Sequence, residues 1–160
     1  MDSKICLVVG AGDALGGAIA RRLAREGFVV CVARRTADKL APLVDAIEKA
    51  GGRAFAYPCD ARREEQVVEL FERIERERGP IEVCVHNVGG NIRFPILEFT
   101  AKKFFKVWEM GCFAGFLVGR EAARRMVPRG RGTILFTGAT AALRGGSGYS
   151  ALAPAKARLR

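Results

Sequence analysis

Tyr149 and Lys156 stand seven residues apart in the last stretch of the chain, LRGGSGYSALAPAKARLR. A phenol and an ammonium of this kind raise the question of acid–base chemistry on a substrate oxygen. The stretch reads as the start of a catalytic helix, as the remnant of one, or as a basic tail. Pro154 is tolerable only in a first helical turn, which puts the helix start near Ala151–Ala153 and leaves Tyr149 ahead of it. His86 is the only histidine. It ends an apolar run, where a structural role is the plainer reading, and no Ser–His–Asp arrangement accompanies it.

A second group of residues suits phosphate. In VVGAGDALGGAIA, Gly10 permits a tight turn, Gly12 adds freedom, and Gly16 lets backbone approach a pyrophosphate resting on a helix N-terminus. The pattern follows the first strand of a strand–helix series, the context that gives it meaning. After the second strand the sequence is VARRTADK. An acidic residue there would hold a ribose 2′-hydroxyl. Arg34 and Arg35 stand there instead, and guanidinium matches a 2′-phosphate. The expected cofactor is therefore NADP(H), preferred over NAD(H).

These residues need elements to position them, and two hydrophobic periods alternate along the chain. KICLVVG, FVVCVARR, RAFAYPCD, IEVCVHNVGG and GTILFTGAT read as buried strands centred near Leu7, Val30, Ala56, Val83 and Leu135. Between them lie helical patterns. Ile19 and Leu23 share a face of the first, which Gly27 closes. Leu40, Leu43, Val44 and Ile47 form the stripe of the second, with Thr36 as its cap and Gly51 as its stop. REEQVVELFERIERERG is the third, and a longer helical region runs from about Lys102 to Met126. Such alternation implies parallel βαβ units and a doubly wound α/β sheet, three layers α/β/α, in a single domain over residues 1–160.

Composition narrows the function classes. The chain has 160 residues, 49% of them apolar, and no apolar run long enough to span a bilayer. The five cysteines are dispersed, without a C-x-x-C pair. A reduced, cytoplasmic protein with packed thiols and no metal site is expected. MDSKICLVVG lacks the features of a secretory leader. From residue 120 onward there are nine basic side chains and one acidic one. No aromatic series interleaves them, so we expect a solvated helix face rather than a nucleic-acid or membrane surface.

Taken together, GAGDALG, CDA, HNVGG, the GTILFTGAT strand and the lysine-bearing end resemble the short-chain dehydrogenase/reductase family, in order and spacing, over essentially the whole chain. The resemblance implies a Rossmann-type sheet, incomplete at the C-terminus, a nicotinamide dinucleotide and a small carbonyl or alcohol substrate. By position, the phosphate turn is Gly10, Asp13, Leu15 and Gly16. Ala14 replaces the family's middle glycine and Val9 its threonine. Asp60 stands where the family contacts adenine, with Ala61 beside it. HNVG stands for the family's N-N-A-G, retaining Asn87 and Gly89, with His86 in place of the first asparagine.

The resemblance fails at the catalytic set of Asn, Ser, Tyr and Lys. With Lys156 as the lysine, which would reach toward the nicotinamide ribose, the tyrosine position is Leu152, the serine position Ala139 and the asparagine position Gly111. Tyr149 and Thr140 are the nearby substitutes. Complete family members continue past this helix, with segments that cover the substrate and commonly build a homo-oligomer. Three readings follow: an NADP(H)-dependent oxidoreductase of weak or no activity, a non-catalytic protein that binds cofactor or a partner, or a truncated product without function.

Overall fold

The structure is a computed structural model that describes residues 4–90 and 92–159. The run Ile5–Val9 forms strand β1, buried at every position. It lies at the centre of the molecule because it carries nothing that needs water. Four further strands flank it: β2 (Val29–Arg34), β3 (Arg53–Pro58), β4 (Ile81–His86) and β5 (Thr133–Phe136). The order across the sheet is β3-β2-β1-β4-β5, and each pair is parallel. All five expected strands are present at their expected centres.

Helices cover both faces. On one side α1 (Leu15–Arg25) and α2 (Ala41–Lys49) bring Ala20, Leu43 and Ile47 against Cys6, Val8, Val30 and Val32. On the other, α3 (Glu64–Arg78) and α5 (Ala114–Met126) bring Phe71, Ile74, Leu117 and Val118 against Leu7, Cys31 and Cys84. Gly27 and Gly51 end the first two helices with φ of 86° and 82°, a conformation that glycine adopts without a Cβ penalty. The sheet reverses its winding between β1 and β4. Ligands of open α/β sheets bind in the crevice at such a point.

One local expectation is corrected and two are refined. Thr36 makes no capping bond through its side chain; a 3₁₀ turn over Ala37–Leu40 intervenes, and α2 begins at Ala41 with Pro42 in its first turn. The long helical region is not uniform. Helix α4 (Ala101–Trp108) passes through a π-turn over Glu109–Phe113 before α5. That turn makes residues five apart neighbours, so the rings of Trp108 and Phe113 stack 6.0 Å apart.

The last concerns the basic C-terminal quarter of the chain. Its arginines are only in part a solvated face, to which Arg124 and Arg131 belong. Arg120 pairs with Glu64, Arg125 and Arg129 with Glu75, and Arg131 with Glu82. Arg129 also donates to the Ile81 carbonyl at 2.5 Å. The cations of α5 and its following turn thus clamp the acidic helix α3 and the start of β4.

Helix α6 (Leu152–Ala157) begins where Pro154 required and buries Ala155 and Lys156. It seats closely because Gly111 and Gly115 carry no side chain. A Cβ on them would lie 3.1 Å from the Ala155 Cβ and 2.5 Å from a Leu159 methyl carbon.

Candidate functional site

The turn after β1 is built by close backbone contact. Gly10 has φ of 86°, and a Cβ there would lie 2.8 Å from the Asn87 carbonyl carbon and the Val88 nitrogen. At Gly16 a Cβ would meet the Gly10 oxygen at 2.5 Å. The Asn87 side-chain amide donates to that same oxygen at 3.0 Å. The turn is thus locked to the loop after β4. Helix α1 starts with no side-chain cap and no acidic residue in its first turn. Its positive end is left for an external anion.

Above this turn lies a cleft of about 520 Å³. Of the residues expected to bind cofactor, Gly10, Gly12, Asp13, Arg34, Arg35, Asp60, Ala61, Asn87 and Gly89 line it. Gly16 is behind the wall, packed on Gly10, and Leu15 is largely exposed. Lys39, Arg62 and Met110 also line the cleft and were missed by sequence reasoning. Lys39 and Arg62 follow the two arginines and Asp60 closely in sequence, which was the available signal. Met110 arrives through the π-turn and left none.

Four cations, Arg34, Arg35, Lys39 and Arg62, line the cleft beside two carboxylates, Asp13 and Asp60. Arg34 Nη1 lies 3.8 Å from where Gly12 would carry a Cβ, so its guanidinium hangs over the phosphate turn. Arg62 holds both oxygens of Asp60, at 2.8 and 2.5 Å, and reaches Glu109 at 3.2 Å. Hydrogen bonding from Arg62 keeps the Asp60 carboxyl below the usual range. The carboxylate expected to meet adenine is therefore already engaged by a neighbouring cation. The Asp60 backbone N–H is held by the Gln66 side-chain oxygen at 2.8 Å.

Lys156 is beneath the cleft rather than on its wall. Nζ donates to the carbonyls of Val88 and Thr137, each at 3.1 Å, and lies 3.2 Å from where Gly89 would carry a Cβ. Burial lowers the affinity of this amine for its proton. Below it, His86 is fully buried against Phe136, with ring centroids 6.0 Å apart. Among the described residues neither ring nitrogen has a hydrogen-bond partner.

Thr140 and Tyr149 meet elsewhere. They line a groove of about 270 Å³ together with Ala139, Arg144 and Leu152. The two substitute hydroxyls and the positions aligned with the family's serine and tyrosine thus share one surface, which Lys156 does not line. No group of three or more metal-ligating side chains occurs among the described residues. No helix among them is long and apolar enough to cross a membrane.

Residues 4–160 match the short chain dehydrogenase family. A short-chain dehydrogenase from Rhodopseudomonas palustris is 51% identical and superposes with a TM-score of 0.92, over 100% of this chain and 74% of that one. An actinorhodin polyketide ketoreductase variant with NADPH is 28% identical, with a TM-score of 0.94 over 99% of this chain and 61% of that one. Gluconate 5-dehydrogenase of Gluconobacter oxydans is 35% identical over 129 residues, which are 81% of this chain and 50% of that protein. The chain spans about half the length of such curated relatives. A parallel sheet wound through a glycine turn, with a cleft at its switch point, agrees with these matches throughout, and the chain belongs to the short-chain dehydrogenase family of nicotinamide-dinucleotide oxidoreductases.

Proposed function

We propose that this chain binds NADP(H) in the cleft above β1 and β4 and has little oxidoreductase turnover on carbonyl or alcohol substrates. The observation that carries the cofactor reading is the placement of Arg34, Arg35 and Lys39 on one cleft wall, with no acidic residue at the end of β2. A 2′-phosphate would be held there by charge-assisted hydrogen bonds. The pyrophosphate would rest on the uncapped start of α1, against Gly10 and Gly12. Asn87 and Gly89 would border the nicotinamide half, with Lys156 behind Gly89. NADPH in the related ketoreductase structure supports this choice. When bound, the dinucleotide supplies or accepts a hydride.

The chain's own residues limit the chemistry. A carbonyl oxygen gaining charge needs a donor, and the positions that the family fills with tyrosine and serine hold Leu152 and Ala139. Loss of a positioned acid costs about 10²–10⁴-fold in rate. Tyr149 and Thr140 are the hydroxyls on that surface, so residual activity would use them. Titrating the full chain with NADPH and NADH by calorimetry tests binding. A steady-state assay with ketones and aldehydes, run beside Tyr149→Phe and Lys156→Ala, tests turnover. Robust turnover lost in Tyr149→Phe would install Tyr149 as the acid and overturn the low-activity reading. Equal affinity for the two cofactors would overturn the NADP(H) reading.

A further inference from the structure

We infer that the groove beside α6 takes a small carboxylate-bearing substrate, whose charged end is held by Arg144 and the Gly145–Gly146 backbone. This rests on the reading above, because the groove counts as a substrate surface through Ala139 and Leu152.

Its polar side chains are the Arg144 guanidinium and the hydroxyls of Thr140 and Tyr149, and no carboxylate lines it. Nor does any aspartate or glutamate follow Glu121 in the sequence. Arginines of α5 and its following turn are taken up by glutamates, but among the described residues Arg144 has no ion-pair partner. Neither has Arg93, whose guanidinium carbon stands 5.8 Å from the centre of the Tyr149 ring at the groove's rim. Two cations without counter-ions at one concavity raise its affinity for anions.

The backbone agrees. Among the described residues, the N–H groups of Gly145, Gly146, Ser147 and Gly148 make no backbone hydrogen bond. Gly145 is not in the left-handed region, and a Cβ there would meet nothing within 4 Å. Neither conformation nor packing requires a glycine at this position. A ligand can therefore approach the backbone closely there. Guanidinium and bare N–H groups together are a carboxylate site, and the Thr140 and Tyr149 hydroxyls are left for the carbinol or carbonyl end.

The test is calorimetric titration of the full chain, with and without NADPH, using D-gluconate, its uncharged counterpart D-glucitol, and inorganic phosphate. Gluconate should bind at least about tenfold more tightly than glucitol, the scale of one charge-assisted contact. Arg144→Gln should remove most of that margin, while Arg76→Gln, an exposed charge on α3, should leave it intact. Absent binding of gluconate, parity with glucitol, or equal effects of the two variants would overturn the inference. Phosphate binding as tightly as gluconate would overturn the carboxylate assignment. NADPH affinity is read in the same experiment. Its loss would sink the cofactor reading alone, since discrimination between gluconate and glucitol is measured without cofactor too.

Discussion

The Lys156 ammonium donates to the Val88 carbonyl at 3.1 Å, and this contact ties α6 to the loop after β4. The same nitrogen holds Thr137, just past β5. Lys156 therefore bridges the ends of two adjacent strands. The family assigns this lysine to chemistry, but here it has a structural task of its own.

Lys156→Met should therefore destabilise the chain in the absence of any dinucleotide. Two partly buried carbonyls lose their donor, at about 1–2 kcal/mol each, and relief from burying a charge offsets part of that. Urea unfolding of the cofactor-free variant should show a net loss of about 1–2 kcal/mol. An unchanged midpoint would mean that the contact with Val88 contributes nothing to folding.

The glycines of the phosphate turn should separate sharply. Gly16→Ala puts a methyl 2.5 Å from the Gly10 oxygen, so backbone must move, and both stability and dinucleotide binding should fall. Gly12→Ala meets only the flexible Arg34 side chain at 3.8 Å. It should fold with a midpoint within about 0.5 kcal/mol of the parent. Thermal unfolding of the two variants side by side checks the contrast.

The contrast also marks what the sequence could tell. Strands and the glycine turn are local: Ile5–Val9 is apolar at every position, and Gly10 must follow where the chain bends back. The π-turn at Glu109–Phe113 is invisible to a helical period, which continues through it, while α6 packs against it at Gly111. The pairing of α5 arginines with Glu64 and Glu75 depends on two helices lying side by side, which composition cannot convey. The cleft's cations were half legible. Arg34 and Arg35 stand at a strand end, but the hold of Arg62 on Asp60 depends on how the turn after β3 folds back.

Arg34→Ala combined with Arg35→Ala should erase most of the preference for NADP(H). Each charge-assisted contact to a 2′-phosphate contributes about 1.5–3 kcal/mol. NADH affinity should change little, because the glycine turn is untouched. Calorimetry on the double variant, with Lys39 left in place, measures the residue of preference that this third cation supplies.

Glu121 is almost fully buried and accepts from Arg124 and Arg125. Glu121→Gln should cost about 1–2 kcal/mol, because the partly buried Arg125 cation loses one charged partner and keeps only Glu75. Arg124→Ala removes a mostly exposed partner and should cost less than about 1 kcal/mol. Urea midpoints that ranked the two variants the other way would contradict this account of the helix clamp.

His86 should make the protein acid-sensitive above the carboxylate range. Burial, and secondarily the nearby Lys156 cation, lower its pKa from 6.5 to about 4. Between those values the unfolded chain binds a proton that the folded chain refuses, so stability falls as pH drops through the window. The full loss is about 3 kcal/mol, reached near pH 4 and absent above pH 7. Asp60, held ionised by Arg62, adds its own loss only at lower pH, where carboxylates protonate. Urea midpoints measured at pH 7.5, 6 and 4.5 should decline in the unmutated chain and stay nearly level in His86→Asn. A decline of the same size in both proteins would assign the acid sensitivity to other groups and leave the buried imidazole without a thermodynamic signature.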